Sequence, residues 1–368
     1  MITLARPKET PPKRKAGGRL APEPASTAQT ETIGFLLVPE FPIYAFILAI
    51  EALRVANQNA GERLFTTYLI TPDGKPVTAG NGMVVEPDLG IADAPFLPTV
   101  LLFAGNHPER NIKRPVLSWL RRLDRHGALL GAVDTGQFGL AKAGLLDGIT
   151  VALHWEAIPL FREHYPQIET RETLFAIDRN RITCAGGVAT LDMVLHLIAN
   201  RHGRALAEVV ANGFVHGRIR HDSERQRVSA DDAVGVVNHR LAGIIQTMEA
   251  HLETPLSTEA LAAKAGISVR QIERLMRETL GETPSRYYLK LRLHAARNHL
   301  FYGDMPIQDI AQAAGFSSPS VLSRAFKSHF GVSPREFRRQ FSVDRLERFR
   351  PELRRQPGIA RETGSGGG

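Results

Sequence analysis

The sequence predicts an α/β domain followed by an all-α domain. Three observations carry this. Between residues 32 and 205, short apolar runs alternate with stretches of helical periodicity. From Val236 onward every segment has helical spacing, and only Gly and Pro interrupt it. Within that second half one pattern occurs twice, as Ala262-Ala263-Lys264-Ala265-Gly266-Ile267-Ser268 and as Ala311-Gln312-Ala313-Ala314-Gly315-Phe316-Ser317.

The first strand is Ile33 to Val38, a continuous apolar run bounded by Pro39. Helical periodicity follows from Ile43 to Asn57. Phe65–Ile70 and Thr99–Gly105 read as further strands. Pro115 to His126 places Leu117, Leu120 and Leu123 on one helical side, with Gly127 as C-cap. Ala128–Val133 is again a buried strand, and Thr135-Gly136 opens a helix toward Leu145. A hairpin is predicted over Phe175–Cys184, turning at Arg179-Asn180, and Gly186-Gly187 leads into a helix from Thr190 to Ile198. Such alternation predicts a mostly parallel sheet whose ligands bind at the carboxyl ends of the strands.

The domain limits follow from composition. Residues 1–30 are rich in Pro, Thr, Lys and Arg and lack the apolar stretch of a secretory signal, so they are expected to be a disordered arm. The α/β domain is expected over 31–207, a linker over 208–235 around the polar run His221–Arg227, the helical domain over 236–340, and a flexible tail over 341–368. A single cysteine, Cys184, excludes a disulfide framework and a cysteine-based zinc site and fits a reducing cytoplasm. No apolar run approaches the roughly 20 residues of a membrane span. The formal net charge is +8, which suits an acidic polymer as partner. His107, His126, His154 and His164 are too scattered to suggest a metal site by spacing, and no cofactor motif occurs. Asp134-Thr135-Gly136 spells an aspartic-protease triplet, but that chemistry needs a second copy and none exists.

Each copy of the repeated pattern reads as helix, Gly turn, second helix, Gly stop and Pro, ending at Gly281–Pro284 and at Gly331–Pro334. That is the grammar of a helix-turn-helix, whose second helix enters a DNA major groove. Thr258 is expected to cap the first helix of the first copy and Ser268 the second. Ile272, Leu275 and Met276 should then face inward, leaving Arg270, Gln271, Glu273 and Arg274 to meet DNA. In the second copy Ser318 and Pro319 start the helix, Val321, Leu322, Ala325 and Phe326 are its buried side, and Ser320, Ser323 and Arg324 are the candidates for contact. Arginine matches O6 and N7 of guanine with one fork, so Arg270, Arg274 and Arg324 are the expected base readers. Over 236–340 Lys and Arg outnumber Asp and Glu by 14 to 9, enough to steer toward phosphates.

The second repeat, from Ile310-Ala311 through Gly315-Phe316-Ser317-Ser318-Pro319 to Arg324-Ala325-Phe326-Lys327 and Gly331-Val332-Ser333-Pro334, resembles the AraC/XylS family signature. The first repeat, with Ser285-Arg286-Tyr287-Tyr288 and Leu291-Arg292, is similar. The resemblance implies two helix-turn-helix units bridged by one long helix, here roughly Pro284 to Leu300, reading neighbouring major-groove segments of double-stranded promoter DNA and activating transcription through RNA polymerase. Residues 32 to about 205 resemble the PfpI-like, class I glutamine amidotransferase-like domain. The matching stretches are Glu51–Asn57, Gly131–Gly136, Ala143–Gly148, His154-Trp155-Glu156 and Gly186–Met193. That domain joined to an AraC-type module is the arrangement of the GlxA-like regulators. It implies a flavodoxin-like parallel sheet and homodimerisation, to which a helix such as Thr190 to Arg201 would contribute.

In catalytic members of that superfamily the strand-to-helix elbow carries a cysteine whose thiolate is activated at the helix N-terminus. Here the elbow position is Asp134, a poor substitute for a thiolate, and Cys184 falls in the later strand as a small buried hydrophobe. No catalytic residue is therefore expected. The resemblance places Glu51 near Asp134, and with Thr135, His154 and Trp155 these residues form the candidate ligand site. Two carboxylates and an indole suit an ammonium or guanidinium group, so the expected effector is a nitrogen-containing metabolite: an amino acid, amine or betaine. The alternatives are that Asp134 only caps its helix, and that His154 is a satisfied turn histidine. Two other functions compete with a ligand-responsive regulator. One is an amidotransferase- or peptidase-superfamily enzyme with accessory DNA binding; the other is a constitutive DNA-binding protein.

Overall fold

The computed structural model describes residues 30–226 and 239–340. All but the last residue of the expected N-terminal arm, the stretch 227–238 of the expected linker, and the tail over 341–368 lie outside the described residues.

The first domain begins β1 (Glu31–Leu37), α1 (Ile43–Ala60), β2 (Phe65–Thr71), β3 (Val77–Thr78), β4 (Val84–Val85), β5 (Leu89–Gly90) and β6 (Thr99–Ala104). It continues α2 (Pro108–Asn111), α3 (Arg114–Arg125), β7 (Leu129–Asp134), α4 (Gln137–Lys142), β8 (Val151–Ala152), α5 (Ile158–His164) and β9 (Thr170–Arg171). The hairpin β10 (Phe175–Asp178) and β11 (Arg181–Cys184) and the helices α6 (Ala189–His202) and α7 (Arg204–Gly213) complete it. The main sheet runs β10-β11-β7-β6-β1-β2-β5, with β10 alone antiparallel. Its five long parallel strands thus stand in the 2-1-3-4-5 order of a flavodoxin-like sheet.

Both faces of the sheet are covered, as a parallel sheet requires. Phe35, Leu37, Leu101, Phe103 and Val133 pack on α1, α6 and α7. Leu36, Val38, Leu102, Leu130 and Ala132 pack on α3, α4 and α5. The second of these layers also takes in Tyr302, a residue of the helical domain, only 5% exposed. α6 buries Ala189 to Leu195, Leu197 and Ile198 inside its own domain.

Residues from 208, expected to begin the linker, are domain structure as far as Gln226. α7 buries Ala207, Val210 and Ala211. Beyond it the buried Asp192 carboxylate accepts from the Arg220 backbone N–H at 2.7 Å and from its guanidinium at 2.7 and 3.0 Å, and lies 2.8 Å from His216 Nε2. An ionised group with no access to water must be fully paired, and these partners fix the segment against α6.

The second domain comprises α8 (His239–Glu249), α9 (Thr258–Lys264), α10 (Val269–Leu280), α11 (Pro284–Tyr302), α12 (Ile307–Ala313), α13 (Pro319–Phe330) and α14 (Pro334–Gln340). Capping chemistry sets its boundaries. Ser257, one residue before the expected Thr258, caps α9 by accepting from Ala260 N–H. Ser268 and Gln271 form a reciprocal capping box at α10, and Ser318 caps α13 ahead of Pro319. Gly281 and Gly331 end α10 and α13 in the left-handed conformation.

Two small cores result, and α11 belongs to both. Tyr288 packs with Leu241, Met248, Ile272 and Met276; Leu293, Ala296 and Leu300 pack with Ile310, Leu322 and Phe326. Arg292 ties the units further. Its Nε donates to Ala314 O at 2.9 Å, and its guanidinium lies 4.3 Å from the Phe316 ring centroid.

The two turn glycines differ. A Cβ on Gly315 would stand 2.2 Å from Leu252 O, whereas one on Gly266 would meet nothing within 4 Å, though both have positive φ. We expect Gly266→Ala to cost only the left-handed strain of about 1–2 kcal/mol. Gly315→Ala should cost more, because the chain between α8 and α9 must also move. Urea unfolding of the full chain followed by circular dichroism distinguishes the two.

Candidate functional site

At the carboxyl end of β7 the chain turns into α4 through Asp134, whose φ is +66°. A non-Gly residue in this conformation is uncommon, and Asp is among those that tolerate it. Glycines make the turn possible. A Cβ on Gly136 would lie 2.6 Å from Leu102 O, and one on Gly186, in the loop after β11, would lie 2.9 Å from Asp134 Cβ. Asp134 is 8% exposed, and among the described residues its carboxyl has no hydrogen-bond partner. α4 has no side-chain cap, so Asp134 does not serve as one.

Burial raises the Asp134 carboxyl to about 8, and the negative charge of Glu156 adds to the effect. In return the charge of Asp134 acts on Tyr44, Tyr302 and Cys184, all of which burial already shifts upward. The Cys184 thiol is pushed up to about 12, so it is not a nucleophile at neutral pH.

The segment His154-Trp155-Glu156 lies against this turn. His154 N–H donates to Asp134 O at 3.1 Å, and the His154 and Trp155 rings are 5.9 Å apart. Burial holds the His154 imidazole below its ordinary value, against the pull of Glu156. Gln226 fastens the segment from behind: its Nε2 donates to Leu153 O at 2.8 Å and Thr173 O at 2.9 Å, and its Oε1 accepts from Trp155 N–H at 2.9 Å.

Of the expected ligand residues, Asp134 and His154 are brought together, with Trp155 beside His154. Thr135 is fully buried and its hydroxyl donates to Gly105 O at 2.6 Å, so it anchors the turn to β6. Glu51 is not brought to Asp134. It sits on α1 with its carboxylate 2.8 Å from Arg54 Nε and 40% of its side chain exposed, and the acid acting on Asp134 is Glu156. The reason is rotational: α1 turns Ala49, Ala52, Leu53 and Ala56 inward, and Glu51 falls off that stripe.

Sequence reasoning missed Tyr302 and Arg297. The Tyr302 hydroxyl donates to Glu156 Oε2 at 3.1 Å and lies 3.5 Å from His154 Nδ1. Arg297 pairs with Glu156 Oε1. Both residues stand on α11, 141 or more positions along the chain, and no local motif announces such a contact. Glu40 is a second missed feature. Its carboxylate, wholly buried at the end of β1, accepts from Arg110 Nη2 at 2.9 Å and lies 3.1 Å from His107 Nδ1.

On the helical domain, Arg270, Glu273, Arg274, Ser320 and Arg324 are exposed, and Ser323 is partly covered. Gln271 is exposed, but its Oε1 accepts from Ser268 N–H at 2.8 Å, so it is occupied in the capping box. Arg274 is 4.0 Å from Glu278 with both side chains about 70% exposed, a contact too weak to withhold it from another partner. Ile272, Met276, Leu322 and Phe326 are buried, as expected, and Leu275, Val321 and Ala325 are partly so.

The DJ-1/PfpI family matches residues 32–200, and a helix-turn-helix domain matches residues 261–340. Over 304 residues the chain is 44% identical to the HTH-type transcriptional regulator CdhR of Pseudomonas aeruginosa, covering 83% of this chain and 90% of that protein. It is 39% identical over 315 residues to the HTH-type transcriptional regulator GbdR of the same species, covering 86% of each. It is 36% identical over 321 residues to the HTH-type transcriptional regulator GlxA of Rhizobium meliloti, covering 86% of this chain and 98% of that protein. The chain belongs to this family of transcriptional regulators, in which a DJ-1/PfpI domain is joined to an AraC-type helix-turn-helix module.

The raised Asp134 carboxyl has a consequence for stability. Unfolded, an Asp releases its proton near pH 4; folded, this one keeps it to about pH 8. The native state therefore binds the extra proton, and stability falls as pH rises between those limits. Asp134→Asn should melt at the same temperature as the parent protein near pH 4 and progressively higher toward pH 8.5. Scanning calorimetry across that range measures it, and a difference independent of pH would show that Asp134 titrates normally.

Proposed function

We propose that this regulator binds a small cationic metabolite at Asp134 and activates transcription in response. The single observation that carries the reading is the buried carboxyl at the elbow, without a hydrogen-bond partner among the described residues. A charge there is costly unless paired. An ammonium or guanidinium group supplies the pairing, and the aromatic rings of Tyr44, Trp155 and Tyr302 suit a cation. The effector class is thus an amino acid, amine or betaine. The domain is a binding module rather than an enzyme: a carboxyl replaces the thiolate at the elbow, and Cys184 is buried with its proton held.

On the DNA side, Arg270, Arg274 and Arg324 read guanine edges, Glu273, Ser320 and Ser323 contribute further contacts, and Gln271 holds its helix terminus. The protein acts in the cytoplasm as a homodimer on promoter DNA, engaging RNA polymerase. Among the described residues no helix is long and apolar enough to cross a membrane.

Selection of bound fragments from a genomic library, with and without a panel of amines and betaines, tests both halves. An effector-dependent change in the recovered sites is expected; recovery no better than random duplex at moderate salt would reject the reading. Arg270→Ala or Arg324→Ala should cost about 1–3 kcal/mol at one base position and leave the others unchanged. Calorimetric affinity for a permanently charged ligand should rise with pH, by up to about tenfold per unit, and level off near pH 8, because the cation must displace the Asp134 proton.

A further inference from the structure

The cluster around Asp134 is not closed by its own domain. Glu156 is shared across the domain boundary: one oxygen is taken by Arg297, the other by the Tyr302 hydroxyl at 3.1 Å, and Asn298 Nδ2 donates to the Glu156 backbone carbonyl at 3.3 Å. All three partners lie on the last turns of α11, whose earlier turns hold the two helix-turn-helix cores together. Tyr302 is 5% exposed and packs in the hydrophobic layer of the first domain, and Gly303 approaches Leu160 of α5. The same α11 segment buries His299 Nδ1 without a hydrogen-bond partner among the described residues, which subtracts from the stability of the contact. Among the described residues the two domains thus meet where polar bonds to one carboxylate sit beside the apolar packing of Tyr302 and Gly303.

The charge of that carboxylate also acts on Asp134. A cation held at Asp134 would sit in the field of Glu156 and compete with Arg297 for it. We propose that Glu156 is a shared anchor, so that a cation at Asp134 and the Arg297–Tyr302 clasp of the DNA-binding domain oppose each other. Occupancy loosens the end of α11 from the first domain and frees the paired helix-turn-helix units to reorient. The coupling is reciprocal: whatever weakens the clasp strengthens cation binding, and operator DNA that requires the released arrangement does the same. This rests on the reading of Asp134 as a cation site and adds how that site is connected to DNA.

The test uses the full chain and tetramethylammonium chloride as the probe, with sodium chloride at equal ionic strength as control. Affinity is measured by calorimetry for the parent protein and for Arg297→Met, Tyr302→Phe and Asp134→Asn. Hydrogen exchange is followed over residues 297–303. Arg297→Met should bind the probe at least about fivefold more tightly, the lower end of ordinary coupling between sites. Tyr302→Phe, which keeps the ring and so guards against a folding defect, should move in the same direction. Asp134→Asn should abolish binding. Saturating probe should speed exchange over 297–303 in the parent protein. Binding that needs Asp134 but is the same in Arg297→Met and Tyr302→Phe, with exchange unmoved, rejects the coupling and leaves the cation site intact. No binding by any of the four proteins rejects the cation site and the coupling together.

Discussion

The buried carboxyl of Asp134, without a hydrogen-bond partner among the described residues, is the constraint on which the first domain turns. Every element around Asp134 serves to hold it there. β6 and β7 carry it to the carboxyl edge of the sheet, Thr135 pins the turn to Gly105, and Gly136 and Gly186 permit backbone to approach where a side chain would collide. The strained φ of Asp134 persists because these neighbours over-determine it. A buried carboxyl without a hydrogen bond works against folding, which is why a functional explanation has a stronger claim here than at an ordinary buried polar residue.

The helical domain is governed by a different constraint. Each helix-turn-helix unit has its own small core, and α11 contributes one end to each. Arg292 and the close fit of Gly315 against Leu252 lock the second unit onto the first. α11 thus joins the cores of α10 and α13 and carries the chain on to its far end at Tyr302. That far end is where Glu156 grips it.

Much of this was legible in the residues. The hairpin turn at Arg179-Asn180, the long parallel strands and the extent of α10 and α13 follow from local rules: alternation, continuous apolar runs, capping serines and terminal glycines. The elbow was legible as well, because Asp134-Thr135-Gly136 stands between a buried strand and a helical start. Other features were not. Glu51 looked like a partner for Asp134, but the rotational phase of α1 decides which way it faces, and helix phase is set by packing. Gln271 stands among the expected DNA contacts, and the structure adds that its amide oxygen accepts from Ser268 N–H. The polar stretch before Gln226 read as linker because charge pairs within a fold, such as Arg220 with Asp192, have the same composition as a solvated loop.

The sequence by itself determined the two-domain architecture, the duplicated helix-turn-helix pattern and the acid at the strand-to-helix elbow, since each depends on the order of neighbouring residues. Only the tertiary structure decided which side chains surround that acid. Glu156, Tyr302 and Arg297 meet because a helix of one domain comes to rest on α5 and the segment before it in the other. Contacts between residues more than a hundred positions apart leave no periodic or spacing signal in the chain, because they are fixed by the mutual burial of surfaces and not by the local geometry of the backbone.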